Sequence, residues 1–206
     1  MPQKLPCSRY FLFLVVFFWV LAADLGTKSW AFAVCGLPGE RDVLWWIPDV
    51  IGIQTSLNEG ALFGMGQGFS WFFSLSSILA FAVIAVWLFR FGAAKSILLT
   101  IVGGLFTGGA FGNMFDRLGL HQLQWQAHFI PWLNEAPIHQ PGEAVYAVRD
   151  WILVMIGSFH WPNFNIADSC LVVGMILVFI HIFIIGEDES ENLAEIESLD
   201  SASRER

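Results

Sequence analysis

Apolar residues fall in four long runs, with the polar residues gathered between them. The first run extends from Tyr10 to Val34, and its only charges are Asp24 and Lys28. The second runs from Phe69 to Phe89 and stops at Arg90; the third runs from Ser96 to Phe115 and stops at Asp116. The fourth follows Asp168 and ends at Gly186. Each is close to the ~20 residues that carry an α-helix across a ~30 Å hydrocarbon layer. The pattern predicts an all-α polytopic membrane protein with transmembrane helices over 10–34, 69–89, 96–115 and 168–186. Between the first two runs, Val43, Trp45, Ile47, Val50, Ile51 and Ile53 stand among polar residues, broken by Pro48 and Gly52. That segment predicts a small β-like extracytoplasmic (periplasmic) subdomain in the first outer loop. The other outer loop, 116–167, is rich in Trp, His, Gln and Pro.

Composition strengthens this reading. Only 14% of the residues are charged, against about 25% in soluble domains, which excludes an ordinary water-soluble protein. The net charge of −8 belongs mostly to the last segment, 187–206, where eight acids face two arginines. This tail is expected to be a flexible cytoplasmic extension, and nothing in the remaining body calls for a nucleic-acid partner. Lys4, Arg9, Arg90 and Lys95 share one side of a four-helix topology, whereas Arg41, Arg117 and Arg149 are spread over the longer loops. The bias of short basic loops toward the cytoplasm places both termini inside and the loops 35–68 and 116–167 outside. Lys4 and Arg9 ahead of an apolar run also suit a cleavable signal, but apolar character resumes at Trp30–Val34, which predicts a retained helix. Cys7, Cys35 and Cys170 have no metal-type spacing and read as inert thiols.

The charges that border lipid need a reason, since each costs roughly 2.5–3.5 kcal/mol at a helix centre. Asp24 and Lys28 are four apart, so they share a helix face and neutralise each other. Asp24 lies ~21 Å along the helix from Tyr10, toward its outer end. Asp116 and Asp168 sit immediately after the third run and immediately before the fourth, on one membrane side. Two carboxylates held together at an apolar boundary share a proton, which suits one for activating water and the other for protonating a leaving group. The other reading is a pair of helix caps. That suits Asp168 at a helix N-terminus but not Asp116, which would oppose the dipole at a C-terminus. Asparagines and an arginine cluster around these acids, and Gly103, Gly104, Gly108, Gly109 and Gly112 form a small-residue strip suited to close helix packing.

Four segments together resemble the lipoprotein signal peptidase (signal peptidase II) family. They are Asp24-x-x-Thr27-Lys28, Asn58-x-Gly60-Ala61-x-Phe63-Gly64, Gly112-Asn113-x-x-Asp116-Arg117 and Phe164-Asn165-x-Ala167-Asp168-Ser169. They occur in the family's order on a four-helix plan. The resemblance implies a membrane aspartic endopeptidase of the bacterial inner membrane that cleaves just before the diacylglyceryl-modified cysteine of a prolipoprotein. It implies Asp116 and Asp168 as the catalytic dyad, with Asn58, Gly60, Asn113, Arg117, Asn165 and Ala167 supporting dyad and substrate. Asp24 and Lys28 carry over as structural residues near the site. It further implies no metal, no cofactor, an active site near the outer face, and lipidated precursors and membrane lipids as the partners of a monomer.

Two features depart from the family. The loop between the dyad motifs is longer than usual by roughly 20–25 residues, taken up by an insertion at 119–145, and loops of such length rarely lack structure or function of their own. Arg149-Asp150-Trp151-Ile152 rejoins the usual pattern, and the tail is acidic where family tails are basic. Three other readings compete. A metalloprotease is opposed by His121, His128, His139, His160 and His181, none of which forms an HExxH pair. A proton or ion translocator would favour acids deeper in the spans. An inactive binding or assembly protein would not need every motif residue.

Overall fold

The computed structural model describes residues 5–60, 70–126 and 139–183; the acidic tail and the Ala61, Phe63 and Gly64 part of the second motif lie outside them. Four helices are long and apolar enough to span a membrane: α1 (Cys7–Cys35), α2 (Ser70–Arg90), α3 (Ile97–Arg117) and α4 (Ile166–Phe183). The last turn of α2, Val86–Arg90, widens to a π-helix. Ser96 starts α3 by accepting a hydrogen bond from the Leu99 amide at 3.3 Å. Gly36 ends α1 with a positive φ of 74° and donates its N–H to the Phe32 carbonyl. At 29 residues, α1 is about 43 Å long, so it extends beyond a hydrocarbon layer at one end.

The C-terminal end of α1 carries a four-stranded antiparallel sheet in the order β1 (Leu44–Ile47), β2 (Ile51–Asn58), β3 (Val148–Ile156) and β4 (Phe159–Phe164). The expected β-like segment of the first outer loop supplies β1 and β2. The second outer loop supplies the other half of the sheet, so the all-α description is corrected to four helices plus a sheet drawn from both loops. The physical reason is the β2–β3 ladder, which pairs Ser56 with Asp150, Leu57 with Arg149 and Asn58 with Val148. It satisfies backbone groups of two segments that would otherwise lie unpaired at an apolar boundary. Ala31, Cys35, Ile53 and Trp151 form the buried cluster that seats the sheet on α1. Trp30 and Trp46 meet the Trp151 ring edge-on, each with centroids 6.0 Å away.

α3 is the central helix because its small residues let neighbours approach. A Cβ at Gly108 would stand 2.8 Å from the Phe17 carbonyl oxygen of α1, and one at Gly109 would stand 2.9 Å from the Ala167 carbonyl oxygen of α4. At the opposite end, Phe13, Leu88 and Ala94 are buried where α1 meets the α2–α3 hairpin. The outward faces display Phe11, Trp19, Trp71, Leu79, Val172 and Phe183, all more than half exposed, as expected where lipid is the solvent. The helix bounds shift the expected places of the two acids. Asp116 lies inside the last turn of α3 and Asp168 is the third residue of α4, rather than just outside each span. Both helices extend over them because each acid is held by partners within the fold.

Candidate active site

Asp24 and Lys28 lie on one face of α1 and are completely buried. The Lys28 ammonium stands 2.6 Å from Asp24 Oδ2 and 3.0 Å from Asp116 Oδ2, and donates to Asn113 Oδ1 at 2.8 Å. Two carboxylates and an amide oxygen surround it, so the charge of a lysine with no solvent contact is compensated. Asp24 uses its other oxygen to accept the Ala167 amide at 2.9 Å. That amide is one of the four unpaired donors at the start of α4, so α1 fixes where the last helix begins.

Asp116 is occupied on both oxygens. Oδ1 accepts from Arg149 Nε at 2.9 Å and lies 2.8 Å from Arg149 Nη2; Oδ2 accepts the Arg149 backbone amide at 3.0 Å and faces Lys28. A fully buried carboxylate, held by a backbone N–H and flanked by two cations, is engaged within the fold rather than presented to a substrate. The same cations explain how an acid is tolerated at the C-terminal end of α3, where the dipole is unfavourable. Arg149 is itself buried, with its guanidinium over the Phe32 ring.

Asp168 is held differently. Asn165 caps α4 through a reciprocal pair: its Oδ1 accepts the Asp168 amide at 3.0 Å, and Asp168 Oδ2 accepts the Asn165 amide at 3.1 Å. This is the capping-box arrangement with Asp in the Glu position. Asp168 Oδ1 also accepts from Asn113 Nδ2 at 3.0 Å. The neighbour that this cap brings alongside is Asp150 on β3. Asn165 Nδ2 donates to Asp150 Oδ1 at 2.6 Å and to Asn113 Oδ1 at 3.1 Å, and Asn58 hydrogen-bonds the Asp150 side chain as well. One asparagine thus spans the two acids. Burial pushes the Asp150 carboxyl up to about 8 and the nearby charge of Asp168 adds to the rise; Lys28, Asn165 and Asn58 oppose it without reversing it. Asp150 therefore carries a proton at neutral pH, which makes it a donor beside a carboxyl that accepts.

Asp150, Asp168 and Asn58 line a cavity of about 580 Å³ whose other walls include Trp161, Phe164, Leu171, Val172 and Val173. Val172 and Val173 are about half exposed on the outer face of α4, so the cavity is open toward lipid. Arg117 donates to the Gly60 carbonyl at 3.1 Å, while the Gly60 amide donates to Asn58 Oδ1 at 3.1 Å. Its guanidinium stands over the Phe73 ring, within electrostatic reach of Asp168, Asp150 and Asp116. The candidate site residues thus lie in one region: Asp24, Lys28 and Asp116 form an ionic anchor, Asn58 and Asp168 line the cavity, and hydrogen bonds tie Gly60, Asn113, Arg117, Asn165 and Ala167 to them. Asp150 was not among the candidates read from the sequence, although it lies within the Arg149–Ile152 segment that rejoins the family pattern. Among the described residues, no group of three or more His, Cys, Asp or Glu side chains gathers as a metal site.

Known proteins resemble this chain in sequence and in fold. The family model described as signal peptidase (SPase) II matches residues 16–184. A lipoprotein signal peptidase of Rhodopirellula baltica is 42% identical over 179 residues, covering 86% of this chain and 74% of the relative. One from Geobacillus kaustophilus is 29% identical over 180 residues, covering 86% and 99%. Two solved structures of a bacterial membrane enzyme, at 2.3 and 1.9 Å resolution, superpose with TM-scores of 0.65 and 0.61 at 26% and 25% identity. They cover 85% and 82% of this chain and 90% and 91% of their own. A match over nearly the whole membrane body, at this identity and with the same fold, means that the chain belongs to the signal peptidase II family of peptidases.

Proposed function

We propose that the protein is a membrane aspartic endopeptidase that removes the signal peptide from diacylglyceryl-modified prolipoproteins, with Asp150 and Asp168 as the water-activating pair. The sequence motifs pair Asp168 with Asp116. The geometry favours Asp150, and the observation that carries this reading is Asn165, which bonds the Asp150 carboxyl through its side chain and the Asp168 carboxyl through its backbone amide, both acids lining a lipid-facing cavity. Asp116 then serves as the anchor that holds Arg149, and with it the neighbouring Asp150, through three contacts.

In this reading the signal helix and acyl chains enter laterally from the bilayer, and their apolar surface suits the walls of the cavity. Acyl burial contributes about 0.8 kcal/mol per CH₂, which makes the modification a strong anchor. Asp168 takes a proton from water as the water oxygen attacks the scissile carbonyl carbon, and Asp150 gives its proton to the carbonyl oxygen. Collapse of the diol breaks the C–N bond, with a proton passing to the leaving nitrogen, so peptide and water become an acid and an amine. Asn58 lines the cavity where a substrate carbonyl would be held, and Arg117 donates to the Gly60 carbonyl two residues along. The clustering of the acids at the sheet end of the bundle supports a site near the outer face, with both termini cytoplasmic by the Lys and Arg bias. It does not support a proton path, which needs acids distributed across the membrane.

The test is the mass of the product formed by the purified protein from a lipidated prolipoprotein. Cleavage just before the modified cysteine, lost in Asp150→Asn and in Asp168→Asn, is the expected result. A folded wild-type protein that leaves this substrate intact would overturn the assignment.

A further inference from the structure

The described ends of the insertion, 119–126 and 139–145, close on each other as an antiparallel stem. The Val145 amide donates to the Leu123 carbonyl at 3.0 Å, Trp125 to Glu143 at 2.8 Å and Gly142 to Trp125 at 2.8 Å. Across the stem, the Trp125 ring stacks on the His139 imidazole with centroids 4.4 Å apart and planes 2° from parallel. His139 reaches out of the insertion. Its Nε2 stands 2.6 Å from Glu59 Oε1, and its Nδ1 stands 3.5 Å from Glu143 Oε2.

Glu59 lies between two residues of the cavity end. On one side Asn58 bonds Asp150 and accepts the Gly60 amide; on the other the Gly60 carbonyl accepts from Arg117. From His139 to Asp150 the path is therefore one ion pair, one peptide bond and one hydrogen bond. We infer that His139 is a positioning residue, through which the insertion holds the Asn58–Gly60 turn in the geometry that Asp150 and Arg117 require. The inference rests on the peptidase reading above. His139 faces two acids, Glu59 at one ring nitrogen and Glu143 at the other, so it ties the turn to the stem of the insertion.

The test compares kcat and KM of wild type, His139→Gln, Glu59→Gln and the double variant on a synthetic diacylglyceryl-cysteine peptide, with melting in detergent as a fold control. Each single variant is expected to lower kcat about tenfold, the scale of one charge-assisted hydrogen bond, with KM changed less than about twofold. The double variant is expected to fall no further than either single one. Trp125→Leu, which keeps both charges and removes the stack, is expected to lower kcat in the same direction. Unchanged kcat in the single variants, or additive losses, would overturn the role of His139. An inactive wild type would instead strike the peptidase reading.

Discussion

Replacing Asp150 by Asn separates the two possible carboxylate pairs by the sign of a stability change as well as by activity. The Asp150 side chain is buried, only 3% exposed, and its carboxyl is raised from 3.8 to about 8. An acid raised in the folded state binds its proton more tightly there than in the unfolded chain. Its presence therefore lowers stability progressively as pH climbs from about 4 to about 8. At pH 7 the penalty is on the order of 4 kcal/mol, at about 1.4 kcal/mol per pH unit. Asparagine resembles the protonated acid in shape, can accept from Asn165 through its carbonyl oxygen, and has no proton to lose. Asp150→Asn is thus expected to be more stable than wild type at neutral pH, by up to that amount, with cleavage reduced at least ~10³-fold through loss of general-acid function. Asp116→Asn removes the charge that Lys28 and Arg149 share in a dry site, and breaking a buried pair costs about 3–5 kcal/mol. The assay is reversible unfolding in mixed detergent, with product mass measured on the same samples. An Asp150→Asn protein that cleaves near the wild-type rate, or an Asp116→Asn protein that folds as well as wild type yet is dead, would refute the reasoning and restore Asp116 as the partner of Asp168.

Three further outcomes follow from the same geometry. Cleavage is expected to decline as pH rises through about 8, where Asp150 loses the proton it donates; a rate that stays flat well above that pH would contradict its role as the acid. Asn165→Ala removes the α4 cap and the link between the acids, so it is expected to lower stability by about 1–2 kcal/mol and kcat by about 10²-fold, read from melting and from initial rates. Gly109→Val forces side-chain carbon against the Ala167 carbonyl, and overpacking of this kind costs about 1–3 kcal/mol. Reduced folded yield with kcat per folded molecule also lowered is expected, since Ala167 precedes Asp168; an unaffected yield would mean that α3 and α4 have room to separate.

The contrast between what the sequence revealed and what it hid has a physical cause. Spans are legible because lipid imposes one requirement, a run of about 20 apolar residues with internally satisfied backbone, and all four such runs became helices. Asp24 and Lys28 were legible as a pair because helical spacing fixes their separation. The strands of the second outer loop were not, because β3 is buried along most of its length and so lacks the alternation that marks a half-exposed strand. Losing β3 also meant losing Asp150. From topology alone, Asp116 and Asp168 bracket one loop and lie on one membrane side, so they are the natural pair. Two facts outside any local pattern support the proposed pairing of Asp168 with Asp150 instead: Arg149, far along the chain, reaches back to Asp116, and the β2–β3 register carries Asp150 over the start of α4. Arg149 and Asp150 are neighbours in sequence, so one strand delivers both the cation that occupies one acid and the acid that joins the other. Motif spacing picks out residues that the fold gathers in one region; which carboxylates meet there depends on long-range strand pairing, and sequence distance does not encode that.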